Sequence, residues 1–346
     1  MIQQINIGIV GYGWAARAHI QSFNEIEGVT VTAVCSRREL SSAELSARHG
    51  SRITVFRHFG RMCEQPDLDI VSICTPHPFH PEQVEIAAAA GKHLVIEKPV
   101  AIDLEGVGRV EKAVHGSGVK AVVCFEVKMI GHFRTLRDFI DRGMLGEIHY
   151  AECDYYHGIG PWYGQYEWNK RADFGGSSLL TAGCHSLDGL LWLLGDWPTE
   201  VFSYATQSRA PVFQSYEYPT TSVTLMRFED GKVANTASVI DCIQPYLFNV
   251  HLVGSVGSVW NDKFHSEALS GLDKSGWSRF HTQLVDSGDV AHHPYRRLFE
   301  DFVGAVRGDG PPEFSFDDSI RSHRVCLAAD LSAATGRPVK LSEVEG

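Results

Sequence analysis

A lysine at position 98 is the side chain best placed in this sequence to exchange a proton with a substrate. Lys98 lies between Glu97 and Pro99, directly after residues 93–96, whose mostly apolar side chains predict a buried strand. A lysine at such a strand end is partly shielded from water, so its pKa can fall far enough for proton exchange with a hydroxyl or carbonyl group. An ordinary solvated lysine is the alternative, but the position favours a catalytic role.

A second pair of side chains suited to substrate binding lies at Thr181 and His185. They are four positions apart in a predicted helix over residues 178–194, so they share one of its faces. The glycine-rich approach to this helix, Gly175-Gly176, precedes them directly. A histidine packed in the core is the alternative for His185, but the shared face favours hydrogen bonds to a substrate.

Aromatic residues ahead of this helix allow two interpretations, and both stay open. They could form the floor of a sugar-binding site or belong to the hydrophobic core. The residues are Tyr155, Tyr156, Trp162, Tyr163 and Trp168. Trp162 and Trp168 are the candidates for substrate contact.

The glycine-rich segment at residues 11–16 has the form of a loop that binds the pyrophosphate of a dinucleotide. Its sequence is Gly-Tyr-Gly-Trp-Ala-Ala, between a predicted strand and a predicted helix. Gly11 permits a tight turn, Gly13 lets the backbone approach the phosphates, and Ala16 lets the helix pack on the strand. The N–H groups and positive dipole end of the helix then face the anion. We therefore expect cofactor contacts from Gly11, Tyr12, Gly13, Trp14 and Ala15.

The second predicted strand ends at Ser36, Arg37 and Arg38, where the adenosine ribose would bind. A carboxylate there would bond to both ribose hydroxyls and favour NAD, whereas arginine accommodates a 2′-phosphate. Because these three positions hold no carboxylate, we expect NADP in preference to NAD. The alternative is that the arginines point into solvent and NAD is used. Thr75-Pro76 ends another predicted strand at the same ligand-binding edge of the sheet.

The order of predicted elements divides the chain into two domains. Strands and helices alternate up to about residue 125, which predicts a doubly wound parallel sheet. Alternating strands joined by tight turns follow, and they predict a large, mostly antiparallel sheet with accompanying helices. We therefore expect an α/β Rossmann domain over residues 1–125 and an α+β domain over residues 126–346. The polar segment 262–290 contains no predicted element.

The composition argues against several classes of function. The 346 residues suffice for two domains, and the net charge of −11 argues against a nucleic-acid or anionic-membrane surface. No apolar run is long enough for a transmembrane helix and no signal peptide is visible, so we expect a cytoplasmic protein. The 8 cysteines form no C-x-x-C pair and the 17 histidines are scattered, which predicts reduced thiols and no metal site.

The motifs together resemble those of the Gfo/Idh/MocA oxidoreductases, the family of glucose-fructose oxidoreductase and inositol dehydrogenase. They are Gly11-x-Gly13-x-x-Ala16, Thr75-Pro76 with His80, Glu97-Lys98-Pro99, and Gly175-Gly176 with His185-x-x-Asp188. The resemblance runs over nearly the whole chain. It implies NAD or NADP as cofactor and a sugar, cyclitol or related small molecule as substrate. It also implies a homodimer or homotetramer formed through the sheet of a C-terminal domain that binds the substrate.

The resemblance also implies roles for individual residues. Lys98 resembles the family's catalytic lysine, and Glu97 its neighbour near the nicotinamide ribose. His185 resembles the histidine that binds substrate and relays a proton, and Lys128 the basic residue that faces the substrate. His80 belongs to a cofactor-binding motif.

One departure from the family lies at position 181. Many members have an aspartate four residues before the histidine, whereas this chain has Thr181. Threonine cannot hold a negative charge near neutral pH, so we expect no Asp–His couple and a larger share of proton transfer at Lys98.

These observations predict reversible hydride transfer between nicotinamide and a carbon-bound hydroxyl group. Lys98 shuttles the hydroxyl proton, while Thr181 and His185 orient the substrate. One alternative is a glycosidase or lyase that uses tightly held NAD for transient oxidation of a sugar. A second is a non-catalytic sensor that binds dinucleotide, although such a sensor needs no proton-transfer groups.

Overall fold

A computed structural model describes residues 3–284 and 294–345 of the chain, which separate into two compact units. The first unit is Met1–Cys124 with Pro294–Ile320, and the second is Phe125–His293 with Arg321–Gly346. The predicted boundary after residue 125 lies one residue from the first of these breaks. Nothing in the sequence pattern indicated that Pro294–Ile320 groups with the first unit. The separate functions expected for residues 1–125 and 126–346 stay a prediction.

Strands and helices alternate in the part of the chain that ends at Cys124. They are β1 (Ile5–Val10), α1 (Trp14–Asn24), β2 (Val29–Cys35), α2 (Ser42–His49), β3 (Thr54–Phe56), α3 (Phe59–Cys63), β4 (Ile70–Ile73), the 3-10 turn His77–Phe79, α4 (His80–Ala89), β5 (His93–Ile96), α5 (Leu104–Ser117) and β6 (Ala121–Val123). The strands pair in parallel in the order β3-β2-β1-β4-β5-β6. This confirms the predicted doubly wound sheet, and its order reverses between β1 and β4, where such sheets bind ligands.

The parallel sheet forms because its strands are apolar on both faces. Every residue of β4 and β6 is buried, as are most residues of β1 and β5. Strands of this kind gain from burial only between two helical layers. Helix α1 begins at Trp14, three residues before the predicted start, because Gly13 takes an extended conformation as its N-cap.

After Cys124 the described residues form nine strands, six helices and four short turns. They are the 3-10 turn Glu126–Met129, α6 (Gly131–Asp141), β7 (Ile148–Tyr156), α7 (Tyr166–Asn169), α8 (Ala172–Gly175), the π turn Leu179–Gly183, α9 (Cys184–Leu194), β8 (Glu200–Thr206), the 3-10 turn Pro211–Phe213, β9 (Thr221–Arg227), β10 (Val233–Val239), β11 (Leu247–Gly254), β12 (Gly257–Trp260), β13 (Lys263–Ser266), β14 (Ser278–Arg279), α10 (Tyr295–Arg307), α11 (Phe316–Thr335), β15 (Val339–Lys340) and the 3-10 turn Leu341–Glu343.

The second sheet has the order β14-β13-β12-β11-β7-β10-β9-β8-β15. Its neighbouring strands are antiparallel except for β7 and β10, which confirms the predicted mostly antiparallel sheet. The segment 262–290, which had no predicted element, contributes β13 and β14, while its residues 285–290 lie outside the described part of the chain.

One face of this second sheet is buried and the other is largely exposed. In β9, buried and accessible residues alternate along the strand. The buried residues Ala151, Cys153 and Tyr155 of β7 share one face of that strand, and β7 packs against α9. Within the described residues, no helix is both long and apolar enough to span a membrane.

Candidate active site

The glycine loop has the shape that a dinucleotide requires. Gly11 has a φ of +89°, and a Cβ there would lie 2.6 Å from the Cys74 carbonyl oxygen, so only glycine fits. A Cβ on Gly13 would meet nothing within 4 Å, which means that the space over the loop is open. Helix α1 starts at the next residue and directs its N-terminus at that space. The loop therefore fits a pyrophosphate group.

The residues after β2 place two cations near this loop. The guanidinium carbon of Arg38 lies 6.0 Å from the centre of the Tyr12 ring, and that of Arg37 lies 4.6 Å from the centre of the Phe79 ring. The buried Ser36 hydroxyl accepts a hydrogen bond from the backbone N–H of Arg38 at 3.1 Å. Both arginines are exposed, and each lies beside an aromatic ring at the end of β2.

His80 joins two of the strand-end segments. Its ring nitrogens lie 2.7 Å from the Thr75 carbonyl oxygen and 2.8 Å from the Pro99 carbonyl oxygen. The side chain is fully buried, and burial lowers the pKa of His80. The Thr75 hydroxyl donates to Gln83 Oε1 at 2.7 Å, next to the predicted cofactor residue Pro76. His80 thus holds backbone segments in place, and its predicted contact with the cofactor stays a prediction.

Glu97 is the centre of a buried hydrogen-bond network. Its Oε1 lies 2.9 Å from His19 Nε2 and accepts a hydrogen bond from the Tyr295 hydroxyl at 3.0 Å. The other nitrogen of His19 lies 2.8 Å from the Ser72 hydroxyl. Burial alone would raise the pKa of Glu97, but the hydrogen bond and charge of His19 outweigh it, and the pKa is lowered. Glu97 is therefore ionised at neutral pH and fixed by its partners.

Two cysteines lie beside the same histidine. Cys74 Sγ is 3.4 Å from His19 Nδ1, and Cys124 Sγ is 3.9 Å from His19 Nε2. Burial opposes a charge on His19, but the two sulfur atoms outweigh it, so the pKa of His19 lies well above its usual value. His19, Glu97 and Cys124 offer ligand atoms within 4.8 Å of one another, the kind of cluster that could hold a metal ion. In the structure His19 and Glu97 instead bond to each other.

Lys98 follows β5 directly, as predicted. It is half-buried, and its peptide bond to Pro99 is cis. Its positive charge helps to lower the pKa values of both Glu97 and His80, which shows that it acts on groups at this edge of the sheet. The edge also carries the glycine loop after β1 and the two arginines after β2.

In the second unit, Thr181 lies in a π turn rather than in the predicted continuous helix. The turn covers Leu179–Gly183, and α9 begins only at Cys184. The Thr181 hydroxyl donates to Asn169 Oδ1 at 2.8 Å or to the Gly175 carbonyl oxygen at 2.9 Å. These bonds tie the turn to the preceding segment.

His185 faces a carboxylate that the sequence analysis did not single out. Its Nε2 lies 3.8 Å from Glu126 Oε1, and both side chains are almost completely buried. The Phe125 ring stands edge-on to the His185 ring, with 6.0 Å between the ring centres. The 3-10 turn at Glu126–Met129 packs on α9 and brings the two groups together.

Lys128 forms an ion pair between the same two elements. Its Nζ lies 2.9 Å from Asp188 Oδ2, and both side chains are 4% exposed. The other carboxylate oxygen of Asp188 accepts a hydrogen bond from the Ser322 hydroxyl at 2.7 Å. The pair fixes Lys128 beside α9, in the same region as His185.

Comparison with known proteins decides the family. The profile of the oxidoreductase family with an NAD-binding Rossmann fold matches residues 5–125, and the profile of its C-terminal α/β domain matches residues 137–341. The chain belongs to the Gfo/Idh/MocA family of oxidoreductases. It is thus an NAD(P)-dependent enzyme of the dehydrogenase and reductase type, with a Rossmann domain that binds the nicotinamide cofactor.

Relatives in this Gfo/Idh/MocA family match along the entire chain. Myo-inositol 2-dehydrogenase of Thermotoga maritima is 22% identical over 99% of this chain and 100% of its own length. The 1,5-anhydro-D-fructose reductase of Ensifer adhaerens is 24% identical, over 96% and 98%. The structure of scyllo-inositol dehydrogenase from Lactobacillus casei, with NAD(H) and scyllo-inositol bound, has a TM-score of 0.80 at 20% identity and covers 98% of this chain and 100% of its own.

The aromatic residues of this oxidoreductase do not share one environment. Tyr155 is buried against Tyr246 and Phe248, so it belongs to the core. Trp162 is 67% exposed, and its indole N–H donates to the Gly158 carbonyl oxygen at 3.0 Å. Trp168 is half-buried at α7. The predicted substrate contacts of Trp162 and Trp168 stay predictions.

The sequence did not predict site roles for His19, Tyr295, Asp188 and Glu126, which belong to these networks. His19 and Tyr295 lie far from Glu97 in sequence, and no local pattern announces either contact. Asp188 was part of the family motif, without a role of its own. Glu126 had one available signal, because it lies two positions before Lys128 directly after the last strand of the parallel sheet.

Proposed function

We propose that this enzyme transfers a hydride between nicotinamide and a secondary alcohol or ketone of a sugar, cyclitol or related small molecule. The observation that carries the proposal is Lys98, half-buried at the sheet edge that also holds the glycine loop. The names of the relatives from T. maritima and E. adhaerens refer to a cyclitol and to a sugar derivative, which supports this substrate class.

The proposed chemistry divides between cofactor and protein. When bound, the nicotinamide accepts the hydride from the substrate carbon, or returns it in reduction. Lys98 takes the proton when the substrate O–H bond breaks, and gives it back to the oxygen in the reverse direction. His185 and Lys128 orient the substrate hydroxyls. Thr181, whose hydroxyl donates to Asn169 Oδ1 or to the Gly175 carbonyl oxygen, orients the substrate with them.

We further propose that NADP is preferred to NAD. Arg37 and Arg38 present two guanidinium groups at the end of β2, and the Ser36 hydroxyl lies between them and the strand. The acidic residue that follows, Glu39, forms an ion pair with Arg57 at 3.1 Å. None of the positions 36–38 holds a carboxylate that would repel a 2′-phosphate. The two guanidinium groups favour binding of that phosphate.

Self-association through the second sheet is a further part of the proposal. The accessible face of its strands carries exposed apolar side chains: Tyr204, Val223, Leu225 and Val233. Such a patch favours a homodimer or homotetramer. Light scattering on the purified chain tests it, and a monomer at micromolar concentration contradicts it. The expected cytoplasmic location likewise remains a proposal.

A thermal-shift panel tests the substrate class. The protein is heated with saturating NADP or NAD and with sugars, cyclitols and their keto forms. A ligand that binds only the native state raises its melting temperature. We expect the largest shifts from cyclitols and sugars with the cofactor present. If none of them shifts the transition, the proposed substrate class is wrong.

A further inference from the structure

Two residues of the turn Glu126–Met129 each face one residue of α9. Glu126 lies 3.8 Å from His185, and Lys128 lies 2.9 Å from Asp188. The two contacts join the same turn and helix, with partners two residues apart on the turn and three apart on the helix. All four side chains are at most 7% exposed. They form one buried group of charges, which we name the turn–helix cluster.

Glu126 is the carboxylate of this cluster that faces the His185 ring. Lys128 and Asp188 neutralise each other at close range, with Ser322 bonded to the second oxygen of Asp188. At 3.8 Å the negative charge of Glu126 is close enough to stabilise a positive charge on the His185 ring. A buried net charge is costly, and a carboxylate within 4 Å favours a protonated imidazole.

We propose that Glu126 is the carboxylate that makes His185 a proton-holding group, the part that Thr181 cannot play. This inference rests on the proposed function. Lys98 takes the hydroxyl proton in the proposed reaction, while His185, protonated beside Glu126, donates a hydrogen bond to the substrate. Glu126 compensates the positive charge on the His185 ring. It is a positioning residue, because it acts through the histidine.

Thr181 and Glu126 differ in their charge and in the element that carries them. Thr181 uses its hydroxyl on Asn169 and Gly175, and a hydroxyl carries no charge near neutral pH. Glu126 comes from another element, the turn after the parallel sheet, and reaches the same histidine. The carboxylate expected four residues before His185 is thus replaced by one 59 residues before it.

Titratable groups of other elements lie near the cluster in the described part of the chain. Cys326 of α11 is close to Asp188, and burial raises its thiol pKa well above the usual value, so it stays uncharged. Tyr246 lies close to Glu126, and burial raises its phenol pKa far above neutrality, so it stays uncharged. His323 of α11 stands against the Phe125 ring, with 5.1 Å between ring centres. His323 is therefore the neighbour that must be followed separately in any pH titration of His185.

Histidine NMR on the full chain tests the inference without a substrate. Ring signals are followed from pH 5 to pH 9, and those of His185 and His323 are assigned by their loss in His185→Asn and His323→Asn. We expect the midpoint of His185 to fall by about one pH unit or more in Glu126→Gln. The matched control Glu229→Gln removes a carboxylate from the exposed turn between β9 and β10, and we expect it to leave the midpoint unchanged.

A second variant guards against loss of folding. Glu126→Asp keeps the charge but shortens the side chain, so we expect a smaller fall than in Glu126→Gln and a native melting curve. An unchanged His185 midpoint in whichever variant folds overturns the inference. If the midpoint falls as expected while no polyol reduces NADP or NAD, the proposed function fails and the role of Glu126 stands.

Discussion

Two histidine–carboxylate pairs, one in each unit, serve different ends. In the first unit His19 and Glu97 are 2.9 Å apart, and Ser72 and Tyr295 complete a network of hydrogen bonds around them. In the second unit His185 and Glu126 are 3.8 Å apart, beyond hydrogen-bond distance. Both pairs are buried, so the difference lies in distance and in bonding rather than in exposure.

This difference in distance and bonding separates a structural role for the first pair from the proton-handling role that we propose for the second. At 2.9 Å the hydrogen bond fixes both the ring and the carboxylate, and the pKa values of His19 and Glu97 move apart so that both remain charged. At 3.8 Å any attraction acts through charge alone and imposes no direction on the ring. The first pair therefore anchors the strand end that carries Lys98, and the second has the role that we propose, which is to favour the protonated form of His185.

Replacement of Lys98 by methionine has the largest expected effect. Lys98→Met keeps most of the side-chain volume and removes the ammonium group, so we expect turnover to fall by about a thousandfold or more. Cofactor binding, followed by nucleotide fluorescence, should persist because the glycine loop is untouched. Lys112→Met, on the exposed side of α5, is the control. Activity within tenfold of the wild type would remove Lys98 from the mechanism.

Breaking the first histidine–carboxylate pair should show its structural role. Glu97→Gln leaves the buried His19 without the carboxylate charge that it bonds to. Removing one partner of a buried ion pair costs about 3–5 kcal/mol of unfolding free energy. Urea unfolding measures the cost. We expect a smaller loss in Glu126→Gln, since that pair lacks a direct hydrogen bond. Equal losses in the two variants would erase the distinction between the pairs.

Replacement of the two arginines after β2 has the third-largest expected effect. The double variant Arg37→Ala with Arg38→Ala should raise the KM for NADPH about 10- to 100-fold, because two charge-assisted contacts are lost. The KM for NADH should stay within about threefold. Arg52→Ala, exposed after α2, is the matched control. Parallel changes for both nucleotides would mean that the arginines do not recognise the 2′-phosphate.

The smallest expected effect concerns a carboxylate outside both pairs. Asp330 accepts a hydrogen bond from Ser177 at 2.7 Å, and burial of its carboxyl group raises its pKa to about 7. The native state therefore binds the proton more tightly than the unfolded chain, and stability falls as pH rises from about 4 to about 7.

Asp330→Asn removes that pH dependence. We expect its melting temperature to match the wild type near pH 4 and to exceed it by about 3 °C at pH 8. Differential scanning fluorimetry across this range measures the gain. A gain that is the same at both pH values would show that Asp330 is ionised in the folded protein throughout.

Much of the fold could be predicted because its signals are local. The buried strands of the parallel sheet are short apolar runs, and the strands of the second sheet alternate between accessible and buried residues. The glycine loop and Lys98 follow directly from strands, so sequence spacing alone placed them at one edge. The π turn before α9 gave no such signal, because a helix-like pattern continues through it.

Contacts between distant segments could not be predicted in this way. Tyr295 reaches Glu97 across 198 positions, and it lies in the segment that returns to the first unit. The pairing of Glu126 with His185 depends on how the turn at Glu126–Met129 packs on α9, which no periodicity encodes. Both contacts are products of tertiary packing rather than of local residue preference.

Absorbance at 340 nm tests the central claim most directly. The wild-type protein is mixed with NADP or NAD and each cyclitol and sugar that raises its melting temperature, with Lys98→Met in parallel. We predict that the wild type produces reduced nucleotide together with an equal amount of ketone, while Lys98→Met produces almost none. A cleaved sugar without net absorbance change, or equal rates in both proteins, would contradict hydride transfer assisted by Lys98.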